Sequence, residues 1–393
     1  MLKLICLLFT MAVCMLAIGA PGASAASWTI QTTPNATGAE HSNLYDISCT
    51  PATTTNPCVS VGKLTESGGK TAPYAQAWNG TSWTNVTAKA PEGATAGELQ
   101  SADCFLLLES MLCYAAGSYT SSGVTKSLIL SGGTGGFSTI QTTPNPEGAS
   151  ETVLKGMTCR VFSSTSCMAV GYSVKSGKKT AFALRMSESK WIIQAMPEPE
   201  GAISSELHGI DCPTTTFCFA VGSYSLSAAE PQWAWSATWN GSTWTLRAVA
   251  KPTGSVRSTL LDIYCAESTY CKGVGAYRNA TTQFSFIAHW NGSAWSHEFS
   301  PNPASSTNTV LQGVSCPSGA PCVAVGDWYN GKSWQPMAQG LSGIWMLDTT
   351  PNPAGATETI IEGVACRQQA RCLSVGWYKD SGGKMKTLGE SRP

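Results

Sequence analysis

Residues 207–246 read LHGIDCPTTTFCFAVGSYSLSAAEPQWAWSATWNGSTWTL, and the same order of signals recurs along the chain. A short apolar run ends in Cys at 49, 104, 159, 212, 265, 316 and 366, in the contexts LYDISC, LQSADC, LKGMTC, LHGIDC, LLDIYC, LQGVSC and IEGVAC. A second Cys follows at 58, 113, 167, 218, 271, 322 and 372, each with Gly four positions later. The unit therefore occurs seven times, at about 50 to 55 residues. A β-solenoid, with its period of roughly 20–30 residues, is excluded by that spacing.

Within the quoted unit, strand A is Leu207–Cys212, strand B is Cys218–Tyr224, strand C ends at Trp239 and strand D opens at Trp244. Asn240-Gly241 separates C from D, as Asn79-Gly80 and Asn291-Gly292 do elsewhere. Asn-Gly suits a tight hairpin because both residues tolerate positive φ. A lone four-stranded meander leaves both faces uncovered, so successive units must stack on one another. The expected fold is all-β: a seven-bladed β-propeller of four-stranded antiparallel blades. The ends fit that count. TIQTTPN at 29–35 recurs at 139–145 as a strand D without its A, B and C, while the last unit stops where its own D would begin. The segment 27–35 is therefore expected to complete the last blade and remove two exposed sheet edges.

The unit resembles the kelch repeat over essentially the whole chain after its first 25 residues. The resemblance rests on a hydrophobic strand ending in Gly, an aromatic late in strand C, a Trp opening strand D and a Pro-containing loop. Val-Gly (Val61-Gly62, Val325-Gly326) stands where kelch units carry Gly-Gly, and kelch units do not normally carry paired Cys. The WNGxxW turns at 78–83, 239–244 and 290–295 are also similar to the Asp-box hairpin of sialidase-type propellers, without its Asp. The resemblance implies an architecture shared by many functions, and no sialidase activity is carried across.

The first residues run Met-Leu-Lys, then apolar from Leu4 to Ile18, then Ala23-Ser24-Ala25. This pattern predicts a signal peptide over 1–25, cut after Ala25, and a single domain over 26–393. The mature chain is expected outside the cell or at its surface, with no membrane span after cleavage and as a monomer. Twenty-four basic residues balance twenty-four acidic ones with no run of like charge, which leaves no electrostatic footprint for nucleic acid. A hydrophobic share of 42% with 14 Trp excludes a disordered chain.

Of sixteen Cys, two (Cys6, Cys14) lie in the leader. The others pair locally across the A-to-B turn, and in an exported protein they are expected as disulfides Cys49–Cys58, Cys104–Cys113, Cys159–Cys167, Cys212–Cys218, Cys265–Cys271, Cys316–Cys322 and Cys366–Cys372. There is no CxxC, and the four His are scattered, so no metal and no cofactor are expected.

Propeller ligands gather on the face formed by the D-to-A and B-to-C loops. Two sets of residues are candidates there. His41, Glu151, Arg257, Asn308 and Glu358 stand three residues before strand A and differ between units. Tyr119, Tyr172, Tyr224, Tyr277, Trp328 and Tyr378 follow the strand B glycine, and their rings suit stacking on sugars or packing against the neighbouring unit's Pro loop. Catalytic motifs are absent: no GxSxG, no HExxH and no phosphate-cradling Gly loop occurs. Glu151, Glu206 and Glu358 are the carboxylates, and His208 the base, that a hydrolase would draw on. The NxS/T matches at Asn79, Asn240 and Asn291 follow from the turn sequence. The expected function is non-enzymatic binding or scaffolding, recognising a carbohydrate or protein surface. The alternatives are an extracellular glycoside hydrolase or polysaccharide lyase, and a structural repeat protein of the cell envelope.

Overall fold

The computed structural model describes residues 25–50, 57–107, 110–161, 165–228, 232–317, 320–367 and 371–393. The expected leader, apart from Ala25, lies outside the described residues. Among them, every α-helix or strand element is a strand. After β1 (Thr29–Gln31), a first antiparallel meander comprises β2 (Ala39–Cys49), β3 (Cys58–Glu66), β4 (Thr71–Trp78) and β5 (Trp83–Val86). The second is β6 (Ala96–Leu107), β7 (Ser110–Ser121), β8 (Val124–Gly133) and β9 (Gly136–Ile140). The third is β10 (Glu151–Val161), β11 (Thr165–Lys175), β12 (Lys178–Ser187) and β13 (Lys190–Gln194). The fourth is β14 (Ser204–Thr214), β15 (Phe217–Ser225), β16 (Trp233–Trp239) and β17 (Trp244–Arg247). The fifth is β18 (Arg257–Glu267), β19 (Tyr270–Arg278), β20 (Gln283–Trp290) and β21 (Trp295–Glu298). The sixth is β22 (Asn308–Ser315), β23 (Val323–Tyr329), β24 (Trp334–Ser342) and β25 (Ile344–Leu347). The last three strands, β26 (Glu358–Cys366), β27 (Cys372–Lys379) and β28 (Met385–Arg392), take β1 as their fourth. Thr29 stands opposite Ser391 and Gln31 opposite Gly389. One parallel pair, Glu151 with Thr125, links the second and third meanders into a continuous sheet of eight.

The glycine after strand B has a steric cause. Every A strand is bulged one residue past its Leu or Ile, as between Leu44 and Asp46 or Leu207 and Gly209. The bulge swings the A backbone over strand B, so a Cβ on Gly62 would lie 2.0 Å from the Asn43 carbonyl oxygen, and one on Gly171 would lie 1.9 Å from that of Val153. Only glycine fits under such a bulge.

Strand B is buried on both faces because a sheet packs on each side of it. Phe105 and Ile129 of the second meander meet Leu154 and Trp191 of the third. Met168 meets Trp239 at the next joint, Phe219 meets Trp295, and Val274 meets Met337. Val323 and Ala338 pack on Leu388 and Trp28, and Val375 packs on Leu44, Tyr74 and Trp83 of the first meander. Meanders stacked face to face in this way make the chain a β-propeller. All seven expected disulfides are present, each joining the paired A and B strands near their turn.

Strand A is longer than the sequence suggests. His41 lies inside β2, and Glu151, Arg257, Asn308 and Glu358 are the first residues of β10, β18, β22 and β26, rather than loop residues ahead of them. The extension arises because the residue before the strand already bonds strand B: Ser150, Val256 and Thr357 donate to the carbonyls of Val174, Arg278 and Lys379 at 2.7 to 2.9 Å.

Candidate functional site

The A strands of all the meanders line one central cavity of about 820 Å³. The bulge turns two adjacent residues per strand toward it. The first of these is Tyr45, Gln100, Lys155, His208, Leu261, Gln312 or Glu362, so no two neighbouring units present the same group.

Deeper in the cavity, side chains join five of the units to the next. Asp46 Oδ2 accepts from the backbone N–H of Ala102 at 2.9 Å, Asp103 Oδ2 from Cys159 at 2.7 Å, Asp211 Oδ2 from Cys265 at 2.8 Å and Asp262 Oδ2 from Val314 at 2.9 Å. The hydroxyls of Ser48, Ser101 and Ser315 accept from Cys104, Met157 and Cys366 at 3.0 to 3.2 Å. Where glycine replaces Asp or Ser, the next backbone closes in instead: a Cβ on Gly209 would lie 2.8 Å from Asp262 Cα. Burial pushes the Asp46 and Asp262 carboxyls up to about 6 and about 7, against the hydrogen bonds they accept. These groups are architectural.

Nearer the start of strand A the lining is mixed in charge. Lys179 pairs with Glu206 at 3.3 Å, His208 Nε2 lies 3.8 Å from Glu206, and Gln100 donates to Glu98 at 2.8 Å. Burial, then the nearby Lys155, lowers His208 to about 4, so its imidazole is neutral at pH 7. Burial opposes charge on Glu206, yet His208, Lys155 and Lys179 together hold it below the usual range. Across the cavity, burial and then Glu362 push Asp327 up to about 8, while burial pushes Glu362 up to about 7. Gln312 donates to Asp327 at 3.2 Å and Trp377 to Glu362 at 3.0 Å.

A second cavity, about 310 Å³, opens between the second and third meanders and shares Glu98, Gln100 and Lys155 with the first. Its wall brings together three of the sequence candidates, Tyr119, Glu151 and Tyr172. Tyr172 donates to Glu151 Oε1 at 2.6 Å, and Lys179 stands 4.3 Å from the centre of its ring. Among the described residues, no cluster of three or more His, Cys, Asp or Glu is arranged to hold a metal.

The other candidates are dispersed. His41 Nδ1 accepts from Met385 N at 3.1 Å, Arg257 donates to Gln283 at 2.8 Å, and Glu358 pairs with Lys379 at 3.3 Å, each on the rim of a different sheet. Asn308 opens β22 opposite Tyr329. Tyr224, Tyr277, Trp328 and Tyr378, two residues past the strand B glycine, pack against the cores between sheets, and Tyr119 does so too while lining the second cavity. Tyr172 is one residue past its glycine, not two, and so faces the other side of the strand. That offset is why it alone of the six leaves the inter-sheet packing for the polar lining. Sequence reasoning missed Glu98, Lys155, Asp327 and Glu362. For Lys155 and Glu362 the available signal was variability at the residue after the strand A Leu or Ile, four positions beyond the one singled out.

No protein-family model matches the chain, and no curated protein matches it. Among solved structures, a protein of unknown function from Dyadobacter fermentans is 13% identical and aligns over 95% of this chain and 99% of its own, with a TM-score of 0.53. The Aleuria aurantia lectin, a six-bladed β-propeller, aligns over 81% of this chain and 99% of its own at 9% identity and a TM-score of 0.48. The phage phi92 endosialidase aligns over 93% of this chain and 69% of its own at 10% identity and a TM-score of 0.49. The first likeness speaks to the fold alone, and the other two carry no functional argument.

Proposed function

We propose that this chain is an exported, seven-bladed β-propeller, closed into a ring by β1, that binds carbohydrate non-enzymatically at the mouth of its central cavity. The observation that carries the binding reading is the 310 Å³ cavity, where Glu151 is oriented by Tyr172 and Glu98 by Gln100 beside Lys155. Pre-oriented carboxylates and a cation bridge vicinal hydroxyls, and an aromatic ring stacks on the C–H face of a sugar. The ring count is supported by the β1–β28 pairing and by the packing of Val375 on the first meander. Export is supported by the leader pattern and by seven disulfides, which fit an oxidising compartment.

A glycan array probed with the purified protein, followed by titration of the best ligand, tests the reading. Tyr172→Ala and Glu151→Gln are expected to weaken binding at least ~10-fold, about 1.4 kcal/mol, while Arg257→Ala leaves it unchanged. An empty array, or affinity indifferent to both cavity substitutions, rejects it. The enzyme reading has one observation in its favour: Asp327 and Glu362 retain protons near neutral pH and so can act as acids. Reducing ends released from an array ligand, and lost in Asp327→Asn, would move the assignment to a hydrolase.

A further inference from the structure

The segment ahead of β1 is bridged to the sixth meander much as Phe137 is bridged to Thr87 and Lys89 of the first, and here a carboxylate adds to the bridge. Ala26 N donates to Asp348 Oδ1 at 3.0 Å, Thr349 N donates to the Ala26 carbonyl at 2.8 Å, and Trp28 N donates to the Thr349 carbonyl at 2.9 Å. Asp348 Oδ2 accepts from the Trp28 indole at 3.2 Å and pairs with Arg392 Nε at 2.9 Å. The Asp348 side chain is only 2% exposed.

The preceding joint provides a comparison. There Trp345 donates to Glu298 at 2.9 Å and Lys272 pairs with the same carboxylate at 2.5 Å, so one base meets one acid. The Asp348 joint has a second acid. Glu390 lies two residues before Arg392 on β28, hence on the same face of the strand. It is fully buried, and neither carboxyl oxygen has a hydrogen-bond partner. Burial raises Glu390 to about 8, so it keeps its proton and leaves Asp348 as the carboxylate that Arg392 meets. Gly340 keeps the space beside them open, since a Cβ there would lie 2.7 Å from Arg392 Nη2 and 3.4 Å from Asp348 Oδ1.

We propose that Asp348 is a receptor for an α-ammonium group, and that its ligand is the chain's own amino terminus, released by cutting between Ala25 and Ala26. The inference rests on the exported reading above. The run Ala23-Ser24-Ala25 has the small residues that leader peptidases accept. Hydrolysis of the Ala25–Ala26 bond gives the water's hydroxyl to the Ala25 carbonyl and its hydrogen to the Ala26 nitrogen. That nitrogen takes a further proton from solvent near neutral pH. One N–H donor becomes three, with a positive charge, at the atom that already touches Asp348. Cleavage thus turns the Ala26–Asp348 contact into a charged hydrogen bond and fastens the first strand to the sixth and seventh sheets.

Two measurements on the full exported protein test this. N-terminal sequencing is expected to begin at Ala26; a start elsewhere overturns the cleavage site, whatever the carboxylate does. Inserting Ser-Gly between Ala25 and Ala26 in the precursor moves the amine out of reach and leaves every side chain intact. That form is expected to melt ~2 °C lower, and in the Asp348→Asn background the same insertion is expected to change nothing. Melting points within ~0.5 °C of each other with Asp348 intact overturn the receptor. Should Asp348→Asn fail to fold, acylation of the α-amine at pH 7 decides: it is expected to be several-fold slower in the Ala26-start protein than in the extended form, and equal rates overturn the proposal.

Discussion

Replacing Asp211 by Ala tests the joints between units directly. Its Oδ1 accepts from Cys212 N at 2.8 Å and from Arg160 Nη2 at 2.7 Å, and its Oδ2 accepts from Cys265 N at 2.8 Å in the next unit. Asp211 is 7% exposed, so solvent is poorly placed to replace the lost acceptors. Two buried main-chain N–H groups without partners cost about 1–3 kcal/mol each, which gives a loss of ~2–6 kcal/mol. Arg160 keeps a 3.6 Å contact with Asp103, so its charge is not stranded. Asp211→Asn retains one oxygen and is expected to lose about 1–2 kcal/mol. Urea unfolding with the disulfides intact measures both. Hydrogen exchange locates the effect: the Cys265 amide, 54 residues away in sequence, is expected to lose protection in the Ala variant. A loss below about 1 kcal/mol with Cys265 still protected would refute the reasoning.

Stability is expected to fall as pH rises from 5 to 9. Asp46, Asp262, Glu362, Asp327 and Glu390 are all raised by burial, to about 6, 7, 7, 8 and 8, so over that interval the folded protein binds more protons than the unfolded chain. Each contributes a slope of about 1.4 kcal/mol per pH unit between its unfolded and folded values. Lowered His208 opposes this only below about pH 6.5; a melting point that is flat or climbs from pH 6.5 to pH 9 contradicts the assignment. Gly209→Ala is expected to cost ~1–3 kcal/mol by forcing a Cβ against Asp262, whereas Gly135→Ala, with nothing within 4 Å, is expected to be neutral in the same titration. Removing one bridge by Cys265→Ser with Cys271→Ser is expected to cost ~2 kcal/mol, and an unchanged urea midpoint would show that the hairpin needs no staple.

The meander, its turns and its cysteine pairing were legible because each is dictated locally. Asn-Gly fixes the C-to-D hairpin, where Asn240 Oδ1 accepts from Ser242 N and Thr243 N and Gly241 takes a positive φ of 97°. Paired Cys stand opposite one another across the shortest turn. The bulge was not legible. It is imposed by the cavity and by the neighbouring backbone, and it changes which residues of strand A face inward. Alternation read straight through LHGIDC places His208 and Gly209 on opposite faces, yet both line the cavity. The Tyr172 offset was hidden for a related reason. The eye aligns an aromatic with its counterparts in other units, while a one-residue shift in a strand sends the ring to the other surface.

The side-chain contact between units has a polarity with an evolutionary consequence. At five joints a side chain of one unit reaches a peptide N–H of its successor, a group that nearly every amino acid supplies. The donor therefore makes no demand on the identity of the unit that follows. Such a coupling tolerates gene duplication, deletion and shuffling of whole modules, because a newcomer arrives already equipped to be gripped. Divergence is then free to act one layer above, on the residues that each copy turns toward the opening.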